Sequence, residues 1–318
     1  MTIQKPLDII LPSPLQRLPS FDSESEQAVN TYCKRDDLIH ELISGNKWRK
    51  LTGLVPILLD LKRTNKEIKI LSFGGAYSNH LHALAYLCFT LNIQLIAIVR
   101  GHYEKHLTPT LTDIQKWHAH IHFVDKTEYK LRTDEEYLFR LKTMHGANLI
   151  VPEGGSSELS FVGLNSLGKE LDEQIDQATH IIMPVASGGT MAGLIDYYVR
   201  QEHKPNLIGI AVLKGEGYLE QLVTDLLPST TNELLKYTPL SWHILHDFHQ
   251  GGYAKSTLAL SQFISDFTSL NKIQLEPVYS GKCFYAVKQL MNNAFFPNGS
   301  KIVILHTGGL QGKRRVNV

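Results

Sequence analysis

From about residue 67 the chain alternates between two hydrophobic rhythms. Short apolar runs, "EIKILSF", "IQLIAIV", "HIHFV" and "NLIVP", read as strands, the second of them buried. Between them lie longer segments of helical period, "SNHLHALAYLCFTL", "TPTLTDIQKW" and "TDEEYLFRLKTMHG". The last is punctuated by Thr133 at its start, acids in its first turn and Gly146 at its end. A second series follows: helix "VGLNSLGKELDEQI", strand "HIIMPV", loop "ASGGT", helix "MAGLIDYYVRQ" and strand "NLIGIAV". Near the end come helix "GKCFYAVKQLMNN", strand "KIVILHT" and a Gly308-Gly309 loop. Upstream, "VNTYCKRDDL" reads as a short strand and Gly45-Asn46 as a turn. "KWRKLTGLVPILLDLK" reads as a helix that Pro56 kinks or breaks.

Strict strand, loop, helix alternation predicts α/β architecture: two open, twisted, mostly parallel sheets flanked by helices, with a cleft between them. No internal repeat or low-complexity segment is evident. The 318 residues suit one large or two medium domains. The opening "MTIQKPLDIILPSPL" has no long apolar core and no small-residue cleavage site, so no signal peptide is expected. Leu81 to Val99, the most apolar long stretch, is broken by His82, Thr90, Asn92 and Gln94, and reads as helix then strand rather than a membrane span.

Composition narrows the partners. A net charge of +1 gives no general attraction to nucleic acid or anionic membrane, so neither is expected. The cysteines Cys33, Cys88 and Cys283 are widely spaced, with no CxxC pair. That excludes a disulfide framework and suits a reducing compartment, so a cytoplasmic protein is expected.

Ligands of open α/β sheets sit beyond the carboxyl ends of strands. Four small-residue loops occupy such ends: "GGAYSN", "EGGSS", "ASGGT" and "TGG". Each alone is explained by a tight turn. "ASGGT" is the most informative, because Ser187, Gly188, Gly189 and Thr190 lie between a strand and a helix. Glycine backbone N–H groups and a helix N-terminus there can cradle a phosphate. No GxxxxGK[ST] exists, and GxGxxG is missing, so ATP and NAD are disfavoured and a smaller phosphate-bearing ligand fits better.

"SGNKWRK" places Lys47, Arg49 and Lys50 behind a glycine turn. A lysine at a helix start is disfavoured by the dipole, and its cationic neighbours should lower its pKa further. Such an amine is a better nucleophile at neutral pH. A phosphate site plus an activated lysine is the signature of covalently held pyridoxal phosphate. The alternative is an exposed basic turn. Other chemistries fall away. No GxSxG and no HExxH is present. "HAHIH" puts His118, His120 and His122 on one face of a strand, but no carboxylate or cysteine partner is near, so no metal is expected. "KRDD" at 34 to 37 reads as a paired surface network, and Cys283 as a core residue of its helix.

Seven motifs then occur in one order: "KRDD", "SGNKWRKL", "GGAYSNH", "PEGGSS", "ASGGTMAG", "EPVYSGK" and "LHTGG". The set resembles the pyridoxal-phosphate family of D-cysteine desulfhydrase and 1-aminocyclopropane-1-carboxylate (ACC) deaminase, within the fold-type-II, tryptophan-synthase-β-like enzymes. The resemblance runs from about Pro12 to Gly309. It implies that Lys47 is the lysine that bonds the cofactor and that Asn79 binds the cofactor's 3′ oxygen. It implies that Ser78 meets the substrate carboxylate. Ser187, Gly188, Gly189 and Thr190 match the phosphate loop, with Lys50 reaching the same phosphate. Tyr279 matches an active-site tyrosine and Tyr253 a second one.

Two positions divide that family. Where ACC deaminases resemble one another in Glu after the tyrosine and Leu before the final Gly-Gly, this chain has Ser280 and Thr307. Thr307 would offer a hydroxyl to the pyridine nitrogen, which makes a weaker electron sink than a carboxylate partner does. That suits loss of a good leaving group, such as a thiol with pKa of about 8.5. Ser44 stands where many members have Gly, "AY" at 76 and 77 departs from the ACC deaminase pattern, and the chain is somewhat short. The expected reaction is α,β-elimination on a small amino acid, with D-cysteine giving pyruvate, ammonia and sulfide. Lys47 or a tyrosine would take the α-proton. ACC deamination is the second expectation, and non-catalytic binding of a phosphorylated metabolite the third. By the same resemblance, the active site lies in the interdomain cleft. Residues 1–50 with 161–318 form the larger, cofactor-binding domain, 51–160 the smaller one, and the chain is a homodimer.

Overall fold

The structure, a computed structural model, describes residues 7–22, 28–65 and 67–314. Part of the opening segment considered above as a leader, residues 1–6, lies outside the described residues. Ten strands form two sheets: β1 (Leu15–Arg17), β2 (Asn30–Lys34), β3 (Lys69–Gly75), β4 (Gln94–Arg100), β5 (His120–Val124), β6 (Leu149–Val151), β7 (His180–Val185), β8 (Asn206–Ala211), β9 (Trp242–Leu245) and β10 (Lys301–Leu305). One sheet runs β1-β2-β10-β7-β8-β9, parallel except for the β1–β2 pair. The other runs β5-β4-β3-β6 and is parallel throughout.

Both faces of both sheets are covered, as parallel sheets require. Alternate residues of one strand serve different cores. In β7, Ile181, Met183 and Val185 join the layer that includes Leu164 and Leu194 from the helices Phe161–Gln174 and Gly189–Tyr198. Ile182 faces the opposite core with Phe267 and Phe284. In the smaller sheet, Ile70 and Leu95 pack in one core while Leu71 and Ile96 pack in another. The run "IQLIAIV" is buried from Leu95 to Val99, as its continuous apolar pattern indicates, whereas the edge strand β5 is only partly covered.

Some local expectations shift. The helix expected from Lys47 to Lys62 is two, Asn46–Thr52 and Leu54–Thr64, and the break falls at Gly53 rather than at Pro56. Pro56 sits in the first turn of the second helix, where no intrahelical N–H bond is lost. A side chain on Gly53 would overlap the Leu159 carbonyl, so the close approach fixes glycine there. The cap expected at Thr133 is Asp134, whose carboxylate accepts from the Tyr137 N–H at 2.9 Å. His118 precedes β5 with φ of +62°, so only His120 and His122 share the strand. Strands β1 and β9 and the helices Tyr218–Leu226, Ser229–Tyr237 and Leu258–Asn271 carry no expectation above. Among the described residues, no helix is long and apolar enough to cross a membrane.

Candidate active site

The helix Asn46–Thr52 is seated against the end of β10. Gly45, with φ of +66°, caps it, and a Cβ there would overlap the Thr307 carbonyl oxygen. The Asn46 N–H donates to that same oxygen at 3.2 Å. Successive residues of a helix are rotated by about 100°, and the three cations of the motif separate accordingly.

Arg49 turns into the protein. Its guanidinium donates to Asp36 at 2.8 Å and to Glu170 at 2.6 Å. Lys34 donates to the other oxygen of Glu170 at 2.8 Å. Lys34, Asp36 and Arg49 are all buried, so the surface reading of "KRDD" is corrected. Arg35 and Asp37 pair within the motif at 2.8 Å, while the charges opposing Lys34 and Asp36 come from Glu170 and Arg49, distant in sequence. Burial pushes Glu170 up, but the bonds from Arg49 and Lys34 outweigh it and hold the carboxyl below its usual range.

Lys47 is half-buried, and the dense surroundings of its amine lower its pKa to about 8. Glu153 acts in the opposite sense. The cause is thus burial, not the repulsion expected from Arg49 and Lys50. Lys50 is driven well below the ordinary lysine range by burial and then by the charge of Lys47.

The Lys50 amine donates to Ser156 Oγ at 2.8 Å and to Ser187 Oγ at 3.2 Å, and the two hydroxyls are 3.0 Å apart. Among the described residues it has no carboxylate partner. Gly188, with φ of +73°, leads into the helix Gly189–Tyr198. A Cβ on Gly189 would lie 2.6 Å from Ser156 Oγ and 2.8 Å from Lys50 Nζ. Asn46 Nδ2 donates to Thr190 Oγ1 at 3.0 Å, tying the lysine helix to this loop. A buried amine without an anion, two hydroxyls and a helix N-terminus form a cradle whose donor set fits a phosphate.

Beyond the end of β3, Ser78 Oγ caps the helix Asn79–Thr90 by accepting from the Leu81 N–H at 3.1 Å, and its own proton is left to donate. Asn79 accepts from Gln311, which in turn accepts from Thr110 at 2.9 Å. A Cβ on Gly309 would lie 2.7 Å from Asn79 Nδ2, so Asn79 and the loop after Thr307 are brought together. Tyr253 and Tyr279 meet hydroxyl to hydroxyl at 2.8 Å. Burial raises both phenols, that of Tyr279 well above its usual range, so both are neutral at physiological pH. Glu153 acts electrostatically on Lys47, Tyr253 and Tyr279 alike.

Two buried charges build the tyrosine pair. Glu276 accepts from the N–H groups of Val278, Tyr279 and Ser280 at 2.7, 2.7 and 2.6 Å. Lys282 donates to the carbonyls of Val212 and Gly252 at 3.0 and 2.8 Å, fixing the loop that carries Tyr253. The Ser280 hydroxyl is engaged with Glu276 and fully buried, so it faces inward rather than toward a substrate.

The structure brings Lys50, Ser187, Gly189 and Thr190 together with Asn46 and Ser156, Asn79 with the loop after Thr307, and Tyr253 with Tyr279. Sequence reasoning missed Ser156, Glu153, Gln311, Glu276 and Lys282. "PEGGSS" marked the loop of the first two, whereas nothing marked Gln311. Among the described residues, no group of three or more His, Cys, Asp or Glu side chains is disposed to hold a metal ion.

Residues 7–308 match the family described as pyridoxal-phosphate dependent enzyme. The chain belongs to that family. Pyridoxal phosphate is accordingly its cofactor, and the cradle around Lys50 fits the phosphate. This pyridoxal-phosphate enzyme is 28% identical, over 94% of its length and 90% of the relative's, to a Pyrococcus horikoshii protein provisionally named 1-aminocyclopropane-1-carboxylate deaminase. It is also 28% identical to the Arabidopsis thaliana bifunctional D-cysteine desulfhydrase/1-aminocyclopropane-1-carboxylate deaminase, a mitochondrial protein, over 95% of this chain and 77% of the relative. The crystal structure of an ACC deaminase homologue superposes with a TM-score of 0.77 and 28% identity, covering 96% of this chain and 92% of the other.

Proposed function

We propose that this enzyme carries out α,β-elimination on a small amino acid, with D-cysteine as substrate and pyruvate, ammonia and sulfide as products. The observation that carries the reading is Lys47, an amine lowered to about 8 on the short helix whose Lys50 builds the anion cradle. At pH 7 a pKa of about 8 leaves roughly a tenth of such amines unprotonated, against fewer than about one in a thousand for an ordinary lysine.

Pyridoxal phosphate, when bound, supplies a carbonyl that captures an amine and an electron-poor ring that accepts the electron pair left by a departing proton. Lys50, Ser187, Gly188, Gly189 and Thr190 would hold its phosphate, Asn79 its 3′ oxygen and Thr307 its ring nitrogen. Ser78 would donate its free proton to the substrate carboxylate. Lys47 would take the α-proton. Both phenols are raised and stay protonated, so the tyrosines serve as hydrogen-bond donors and not as the base. Thr307 offers a hydroxyl instead of a carboxylate, and Ser280 is turned away into Glu276. Both favour a thiol leaving group over opening of a carbon ring. The plant relative is named for both activities, which is in keeping with either substrate reaching one such site.

The same proposal includes the division into residues 1–50 with 161–318 and residues 51–160, supported by strands of the smaller sheet all falling between 69 and 151. It includes a homodimer, tested by light scattering, and a cytoplasmic setting, in keeping with three free buried cysteines.

The test is product analysis of parent and Lys47→Ala on D-cysteine and on ACC. Sulfide and pyruvate from D-cysteine, little 2-oxobutanoate from ACC, and loss of turnover in the variant by at least about a thousandfold are expected. Release of 2-oxobutanoate without sulfide would make the chain a deaminase. Full turnover by Lys47→Ala would sink the mechanism. No turnover of any amino acid by a cofactor-loaded parent would leave the phosphorylated-metabolite binder.

A further inference from the structure

An asparagine amide has two ends of nearly the same shape, one an acceptor and one a paired donor, and the torsion that exchanges them is soft. The cofactor's 3′ oxygen, when ionised, only accepts. Asn79 can serve it only by presenting nitrogen, so something must fix which end faces the site. The turn Leu310–Lys313 does so. Gln311 Nε2 donates to Asn79 Oδ1. An amide nitrogen cannot accept, so only the oxygen of Asn79 satisfies it. Asn79 Nδ2 is turned toward the loop after Thr307: a Cβ on Gly309 would lie 2.7 Å from Nδ2 and 3.8 Å from Oδ1. Among the described residues, Nδ2 has no hydrogen-bond acceptor.

The same logic fixes Gln311. The Thr110 hydroxyl donates to its Oε1 at 2.9 Å, and a guanidinium nitrogen of Arg314 approaches that oxygen to 3.4 Å. A hydroxyl could serve either end of the amide, but a guanidinium only donates, so the oxygen of Gln311 belongs on that side. Arg314 is in turn held by the Asp113 carboxylate. The series therefore has one polarity, from Asp113 through Arg314 and Gln311 to Asn79. Its members come from distant parts of the chain. Asn79, Thr110 and Asp113 sit on the helices Asn79–Thr90 and Pro109–Lys116, which pack on the smaller sheet. Gln311 and Arg314 follow β10 of the larger one.

We propose that Gln311 is a positioning residue for the cofactor's 3′ oxygen: it sets the Asn79 amide so that the N–H groups are the end left for that oxygen. An apolar side chain at 311 leaves the amide free to turn. An acceptor there reverses it, and Oδ1 then meets the oxygen, acceptor against acceptor. The proposal rests on Asn79 being the residue that meets the 3′ oxygen.

The test titrates the full-length, cofactor-free chain calorimetrically with pyridoxal phosphate and, separately, with the analogue that lacks the 3′ oxygen. Each variant's loss of affinity relative to the parent is compared between the two ligands. A general loosening of the turn weakens both alike, whereas a lost contact to the 3′ oxygen weakens only the first. Gln311→Glu keeps the shape but presents only acceptors. It is expected to weaken pyridoxal phosphate at least about tenfold and the analogue by less than about twofold. Gln311→Leu is expected to fall between parent and Gln311→Glu, with the same preference. Equal losses for the two ligands, or parental binding of pyridoxal phosphate by Gln311→Glu, overturns the proposal. Asn79→Ala checks the premise and should lose affinity for pyridoxal phosphate alone. If it does and Gln311→Glu does not, the positioning role falls by itself; if neither discriminates, the assignment of Asn79 to the 3′ oxygen falls with it. Should Gln311→Glu not fold, Gln311→Leu is judged by the same comparison of ligands.

Discussion

Between about pH 8 and 10.5 the folded chain gives up a proton from Lys47 that the unfolded chain keeps. Below that window the poorly solvated ammonium is a cost to folding. Within it the cost is released, because the unfolded state binds more protons and stability rises with pH. Lys47→Met is therefore expected to raise the melting temperature of cofactor-free protein at pH 7. Its margin over the parent should shrink as pH rises through 8 and vanish above about 10.5, which thermal unfolding across that range checks. A margin that grew with pH would mean the amine is stabilised, not strained. Lys47 and Lys50 could be singled out from sequence, because a glycine turn followed by lysines is a local feature. Arg49 could not be, since its partner Glu170 lies 121 residues away. What looked like three cations acting on one another is two amines of lowered pKa and one neutralised core residue.

The helix Asn46–Thr52 is held from both sides, by the Arg49 network and by Asn46 on Thr190. Arg49→Met leaves Asp36 and Glu170 buried with less counter-charge. Breaking such a cluster costs about 3–5 kcal/mol, and urea denaturation should register a loss of that order. On the facing element, Gly189→Ala inserts a methyl between Ser156 Oγ and Lys50 Nζ. Calorimetric titration is expected to find pyridoxal phosphate bound at least about tenfold more weakly, which is about 1.4 kcal/mol. A wild-type affinity would place the phosphate elsewhere. Helix boundaries were legible to within a residue or so where caps and glycines speak, as at Gly146 with φ of +62°. They were not legible at Pro56, because the break is dictated by the approach of Leu159 to Gly53, a tertiary contact.

At the scale of the molecule, alternation of strand and helix was enough to read two parallel sheets. It could not give their order. β10 lies between β2 and β7, joining the two ends of the chain in one sheet. That adjacency puts Thr307 against Gly45 and so seats the start of the Lys47 helix at the end of β10. Short strands such as β1 and β9, and the helices between 218 and 271, carry weak local signals and owe their form to packing. The tyrosine pair was found through its motif, but the Glu276 and Lys282 supports were hidden because a buried charge looks like a surface one in sequence. All these placements converge on a single claim, that Lys47 is the lysine joined to the cofactor. Borohydride reduction of the cofactor-loaded enzyme followed by peptide mapping reads this directly. A yellow protein that bleaches on reduction, with the adduct on Lys47, is the expected result; an adduct on Lys50 or any other lysine, or none at all, would contradict it.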